Sequence, residues 1–223
     1  PAVCLLSLPD LKWNLSLIPL ALATWVVFLI PFFLVPYIGK KRGWEKELVG
    51  CLILTCGFCN TSFVGFPILE ALYGKDILKH AVFLDQAGSF LIVSSLGVWV
   101  AIKYSSGSIK KRYLARKILL FPPFIAFLIG ISASLFGLRF EGVSREVLER
   151  LAHLLTPLAL ICVGLQLKWS EIHHELKFLS GGLFYKLIMA PLIIFSLYFF
   201  LNLESDLFRV SVMETAMAPM ITS

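Results

Sequence analysis

The chain has 223 residues, 58% of them hydrophobic and only 15% charged. A soluble domain carries about a quarter charged residues. Long apolar stretches alternate here with short charged ones, and too few polar faces remain to cover them, which excludes a soluble globular domain.

The apolar stretches read as membrane helices in chain order. Residues 1–8 form the tail of one span. Complete spans cover about 15–38, 48–73, 78–102, 118–138, 147–167 and 178–201. Each is near the roughly 20 residues that cross a bilayer core. A last span begins near Leu207. The sequence opens at Pro1 inside an apolar segment and stops at Ser223 without a charged tail, so further spans are expected at both ends.

Basic residues set the orientation. One side carries Lys40, Lys41, Arg42 and Lys46, then Lys103, Lys110, Lys111, Arg112, Arg116 and Lys117, then Lys168 and Lys177. The other side carries Lys75, Lys79, Arg139, Arg145 and Arg150, diluted by acids. The positive-inside rule makes loops 39–47, 103–117 and 168–177 cytoplasmic. The net charge of +6 is thereby topological, and no nucleic-acid partner is called for. Cys56 and Cys59 have CxxC spacing, but they lie in an apolar span with no second pair and no nearby His, so small packing side chains explain them better than metal or redox chemistry.

The chain also resembles itself. Pro1-Ala-Val-Cys-Leu-Leu-Ser-Leu8 resembles Pro157-Leu-Ala-Leu-Ile-Cys-Val-Gly-Leu165, Pro31 corresponds to Pro191, and Pro67 corresponds to Pro219, all at similar offsets. An odd number of spans separates the copies, so the second is inserted upside down, the inverted-repeat plan of many secondary transporters. This divides the chain into residues 1–104 (most of a first repeat, its opening span missing), 105–117 (a basic cytoplasmic linker) and 118–223 (a second repeat, its last span missing). About ten spans are expected in full and about eight are represented here.

Two spans are interrupted in the middle. Cys59-Asn-Thr-Ser-Phe-Val-Gly-Phe-Pro67 puts polar residues, a glycine and a proline at membrane depth. Its repeat partner is Glu214-Thr-Ala-Met-Ala-Pro219. Freed backbone groups are costly in lipid and tolerated only where they line a cavity or are buried in protein. A half-helix N-terminus suits an anion, and freed carbonyls suit a cation. The expected substrate-binding residues are Asn60, Thr61, Ser62, Gly65, Pro67, Met217, Ala218 and Pro219. Glu214, Asp85 and Gln86 are the candidates for a coupling ion or proton. Glu214 could instead pair structurally with a cation, and Asp85-Gln86 could be interfacial. Lys186 could snorkel to the surface or offer its charge to an anion or an acid.

These motifs resemble the auxin efflux carrier family, within the bile-acid-symporter-like superfamily. The features that carry the resemblance are Pro1–Leu8, Asn60–Pro67 leading to Tyr73-Gly74, Thr156–Leu165 and Glu214–Pro219. The resemblance implies an all-α membrane protein of inverted five-helix repeats, with crossed discontinuous fourth and ninth helices. It implies a scaffold domain, often dimeric, and a mobile transport domain carrying organic anions. The short loop 105–117 looks like the bacterial branch, in the plasma (inner) membrane. Glu214 also resembles an acid of sodium-coupled bile-acid symporters.

The expected function is a secondary transporter or uniporter of small carboxylates working by alternating access. The alternatives are a non-transporting membrane sensor on the same fold and a sodium-coupled bile-acid-type symporter. Beyond sodium or a proton no cofactor is called for. An enzyme is not expected, because there is no metal-ligand cluster, paired-acid motif or nucleophile elbow.

Overall fold

A computed structural model describes residues 2–10, 15–105, 120, 122–154, 158, 161, 165 and 176–217. The described residues are helical, with no strand among them. Among the described residues three helices are long and apolar enough to cross a membrane: Ile18–Arg42, Leu78–Tyr104 and Ser180–Phe200. The chain folds as two compact units, one built from residues 1–13 and 111–174, the other from 14–110 and 175–223.

In the smaller unit, α1 (Ala2–Asp10) packs on α7 (Pro122–Leu135). The approach is close because Gly130 has no side chain. A Cβ there would meet Leu8 Cδ1 at 2.8 Å and the Cys4 carbonyl oxygen at 2.9 Å. Small residues let membrane helices approach in this way. The α7 helix is shorter than the expected span 118–138. It ends before Gly137, whose φ of 66° favours glycine.

Helix α8 (Gly142–His153) begins ahead of the expected span 147–167. Its charged turns are joined by Arg145–Glu149 at 2.9 Å and Arg150–Glu146 at 2.6 Å, and Arg145 also donates to Asp10 at 3.2 Å. These pairs are exposed and add little stability. Most of the expected span beyond Leu154 lies outside the described residues.

The larger unit is organised around α2 (Ile18–Arg42), which touches most of the other helices of the unit. Lys40, Lys41 and Arg42 face the negative end of its dipole. Gly43 stops it in a left-handed conformation, with Trp44 N–H donating to the Gly39 carbonyl at 2.9 Å, the pattern of a Schellman cap. Pro31 cannot donate to the Val27 carbonyl four residues earlier. The Tyr185 hydroxyl donates to that carbonyl instead, at 2.8 Å.

Helix α3 (Lys46–Gly57) packs along α2 and stops inside the unit. Phe58 is extended (φ −96°, ψ 141°), and Phe58-Cys59-Asn60 are not helical. The Phe58 ring stacks on Phe28 with centroids 5.2 Å apart, which anchors the break in a cluster with Ile53, Ile92 and Val100. A π-turn over Thr61–Gly65 then leads into α4 (Phe66–Tyr73). Pro67 sits in the first turn of α4, where its missing N–H costs least.

The long span Leu78–Tyr104 contains α5 (Leu78–Leu84), π-turns over Asp85–Phe90 and Val93–Gly97, and α6 (Val98–Tyr104). Such π-turns recur at functional sites. Helix α9 (Leu176–Phe184) continues through a π-turn over Tyr185–Met189 into α10 (Ala190–Phe200). Helix α11 (Ser205–Thr215) then returns against α10, α2, α5 and the Thr61–Gly65 turn. Phe33, Phe199 and Phe200 are exposed, as the side chains of a lipid-facing surface are.

Candidate substrate site at a broken helix

The break at Phe58–Asn60 brings together polar groups from four segments of the larger unit. Asp85, in the π-turn of the long span, is 4% exposed and is satisfied on both oxygens. Its Oδ1 accepts from the Thr61 hydroxyl and, at 2.7 Å, from the Ser62 hydroxyl. Its Oδ2 accepts from Gln86 Nε2 at 2.8 Å. The first residues after the break are thus clamped to the long span by one carboxylate. Buried polar groups without such bonds cost several kcal/mol by transfer scales (about 2–7). Asp85 and Gln86 are both buried within the unit.

Glu214 approaches the same turn from α11. It is fully buried, and neither carboxylate oxygen finds a hydrogen-bond partner among the described residues. Its carboxylate lies over Gly65, whose Cβ would meet Glu214 Cδ and Oε1 at 2.7 Å. Only glycine leaves that space. Further unpaired buried oxygens are Gln86 Oε1, Ser89 Oγ and Ser211 Oγ. They stand on the Asp85–Phe90 turn and on α11, which both pack on the Thr61–Gly65 turn.

Lys186 faces the other side of the break. It is fully buried, and its Nζ lies 2.6 Å from Cys59 Sγ. It does not snorkel. The sequence leaves that alternative open because Lys186 stands near a span end. What holds it inside is the π-turn Tyr185–Met189 packed against α3. A buried ammonium needs a counter-charge or strong acceptors, and the thiol of Cys59 is a weak acceptor.

Among the sequence candidates, Thr61, Gly65 and Met217 are buried, Asn60 and Ser62 half-buried, and Pro67 exposed. Ala218 and Pro219 lie outside the described residues, so the expected interruption Glu214–Pro219 is described only as far as Met217. The α11 helix ends at Thr215, ahead of Met217. Among the described residues no group of three or more His, Cys, Asp or Glu side chains could hold a metal ion. The CxxC pair is split by the helix break: Cys56 lies on α3 and Cys59 in the gap.

A half-helix start, a buried lysine and an unpaired carboxylate thus stand within one packed unit. Known proteins agree on the broad class. A family-level match to membrane transport proteins covers residues 5–223. An uncharacterized transporter of Methanothermobacter thermautotrophicus is 29% identical over 181 residues, 80% of this chain and 58% of that protein. An uncharacterized transporter of Methanocaldococcus jannaschii is 26% identical over 176 residues, 78% of this chain and 56% of that protein. The chain spans a little over half the length of these relatives. No solved structure matches it. The chain belongs to the membrane transport protein family, that of the auxin efflux carriers.

Proposed function

We propose that this protein is a secondary active transporter or uniporter of small organic anions, carboxylates above all. The observation that carries this reading is the helix that stops at Phe58–Asn60 with the buried ammonium of Lys186 at the gap. Lys186 supplies positive charge at membrane depth, where an unused charge is costly and usually functional. The half-buried Asn60 side chain adds an amide at the same point. A carboxylate of the substrate would sit between them. The hydroxyls of Thr61 and Ser62 are already turned to Asp85, so they position the half-helix and do not bind the anion directly.

Glu214 is the coupling residue in this reading. Its two unpaired oxygens, with the unpaired oxygens of Gln86, Ser89 and Ser211 on neighbouring elements, suit a proton or a sodium ion. Alternating access would move a transport domain containing this site relative to a scaffold domain. Each unit draws on both halves of the sequence, as inverted repeats with crossed broken helices would require. A plasma-membrane location with loops 39–47, 103–117 and 168–177 inside, and a dimer through the scaffold, complete the proposal.

The test is uptake of labelled mono- and dicarboxylates into proteoliposomes containing the full-length protein. Flux that falls with both Asn60→Ala and Glu214→Gln supports the site. Flux that neither substitution changes rules it out. Ligand-induced stabilisation without flux would favour a sensor.

A further inference from the structure

We infer that the larger unit holds one anionic phospholipid, its acyl chain in a cavity between α2, α3 and α9 and its headgroup on Arg42. The cavity has a volume of about 280 Å³. Its lining is mostly apolar: Pro31 and Leu34 come from α2, Leu52 and Cys56 from α3, and Gly181 and Gly182 from α9. Arg42, the last residue of α2, also lines it, as does Trp44, whose ring meets Phe178 edge-on with centroids 5.3 Å apart.

Three observations choose this occupant. First, the length fits one leaflet. From Pro31 to Arg42 the helix rises about 16 Å at about 1.5 Å per residue, and half of a bilayer core is about 15 Å. Second, the charge is at one end only. Lys40, Lys41 and Arg42 close α2 and Lys46 opens α3, against Glu45 and Glu47 in the same stretch. Basic residues beside a tryptophan are the chemistry of an interface that meets anionic headgroups. Third, the cavity offers a soluble substrate few polar groups, because the Tyr185 hydroxyl that borders it is committed to the Val27 carbonyl. The gap beside Gly181 is open, since a Cβ there meets no atom within 4 Å.

The experiment is native mass spectrometry of the full-length protein in detergent, titrated with phosphatidylglycerol, with phosphatidylcholine of the same acyl chains, and with glycerol 3-phosphate alone. The expected result is binding of one phosphatidylglycerol about fivefold tighter than phosphatidylcholine, a preference that Arg42→Gln removes; one basic side chain at a membrane surface is worth about that factor. Gly181→Leu and, on α2, Leu34→Trp should each fill the cavity and weaken both lipids. Leu34 is already exposed and Gly181 has room, so folded protein is expected from at least one. Lipid preference that survives both filling substitutions would reduce the effect to surface charge and overturn the site. Glycerol 3-phosphate matching phosphatidylglycerol would overturn it in favour of a free anion.

Discussion

The carboxylate of Glu214 occupies the space that a side chain on Gly65 would need. A Cβ at Gly65 would lie 2.7 Å from Glu214 Cδ and Oε1, although the two residues are far apart in sequence and on different elements. Gly65→Ala should therefore destabilise the protein by about 1–3 kcal/mol, as overpacking does. The penalty should shrink in a Glu214→Ala background. Thermal unfolding of the four members of this double-mutant cycle in detergent checks it. Additive effects would mean that the two residues do not share this space.

Asp85 ties three donors together, so Asp85→Ala should cost more than its own side chain. It strands the hydroxyls of Thr61 and Ser62 and the amide of Gln86. Each buried donor left unpaired costs about 1–3 kcal/mol. Asp85→Asn keeps one carbonyl acceptor and should cost less. Thermal unfolding in detergent ranks the two variants, and an equal loss from both would contradict the clamp.

Lys186 separates function from stability. A buried, poorly paired charge is not a stabilising feature, and an apolar residue of similar size is often neutral or better. Lys186→Met should keep or raise the melting temperature while reducing carboxylate uptake by about tenfold or more. Loss of fold without any effect specific to transport would make Lys186 a structural residue.

Tyr185→Phe tests the proline in α2. The hydroxyl answers the Val27 carbonyl that Pro31 leaves without its helical donor. Removing it should cost about 1–2 kcal/mol of stability and leave substrate affinity unchanged. An unfolding midpoint equal to that of the unaltered protein would show that water or another group satisfies the carbonyl.

The spans were readable from the sequence because apolar length alone marks them. Residues 15–38 became Ile18–Arg42, and 78–102 became Leu78–Tyr104. The break was readable too, from Asn60, Thr61 and Ser62 ahead of Gly65 and Pro67. It falls at Phe58–Asn60, at the start of the expected stretch Cys59–Pro67. Helix α3 ends at Gly57, and the stacking of Phe58 on Phe28 anchors the break there, while Pro67 is tolerated in the first turn of α4. The convergence of Asp85 on Thr61 and Ser62, and the burial of Lys186 against Cys59, depend on packing between segments far apart in sequence. No local pattern records that, and a lone lysine near a span end reads equally well as a snorkelling one. The short α7 also departed from apolar length, because Gly137 ends it in a left-handed conformation, and the charged α8 carries no apolar run that would mark it.

Binding of a labelled small carboxylate to the purified full-length protein, measured by scintillation proximity, tests the central claim most directly. The account predicts saturable binding that weakens about tenfold or more in both Asn60→Ala and Lys186→Met while both variants remain folded. Saturable binding of unchanged affinity in both variants would place the anion elsewhere and contradict it.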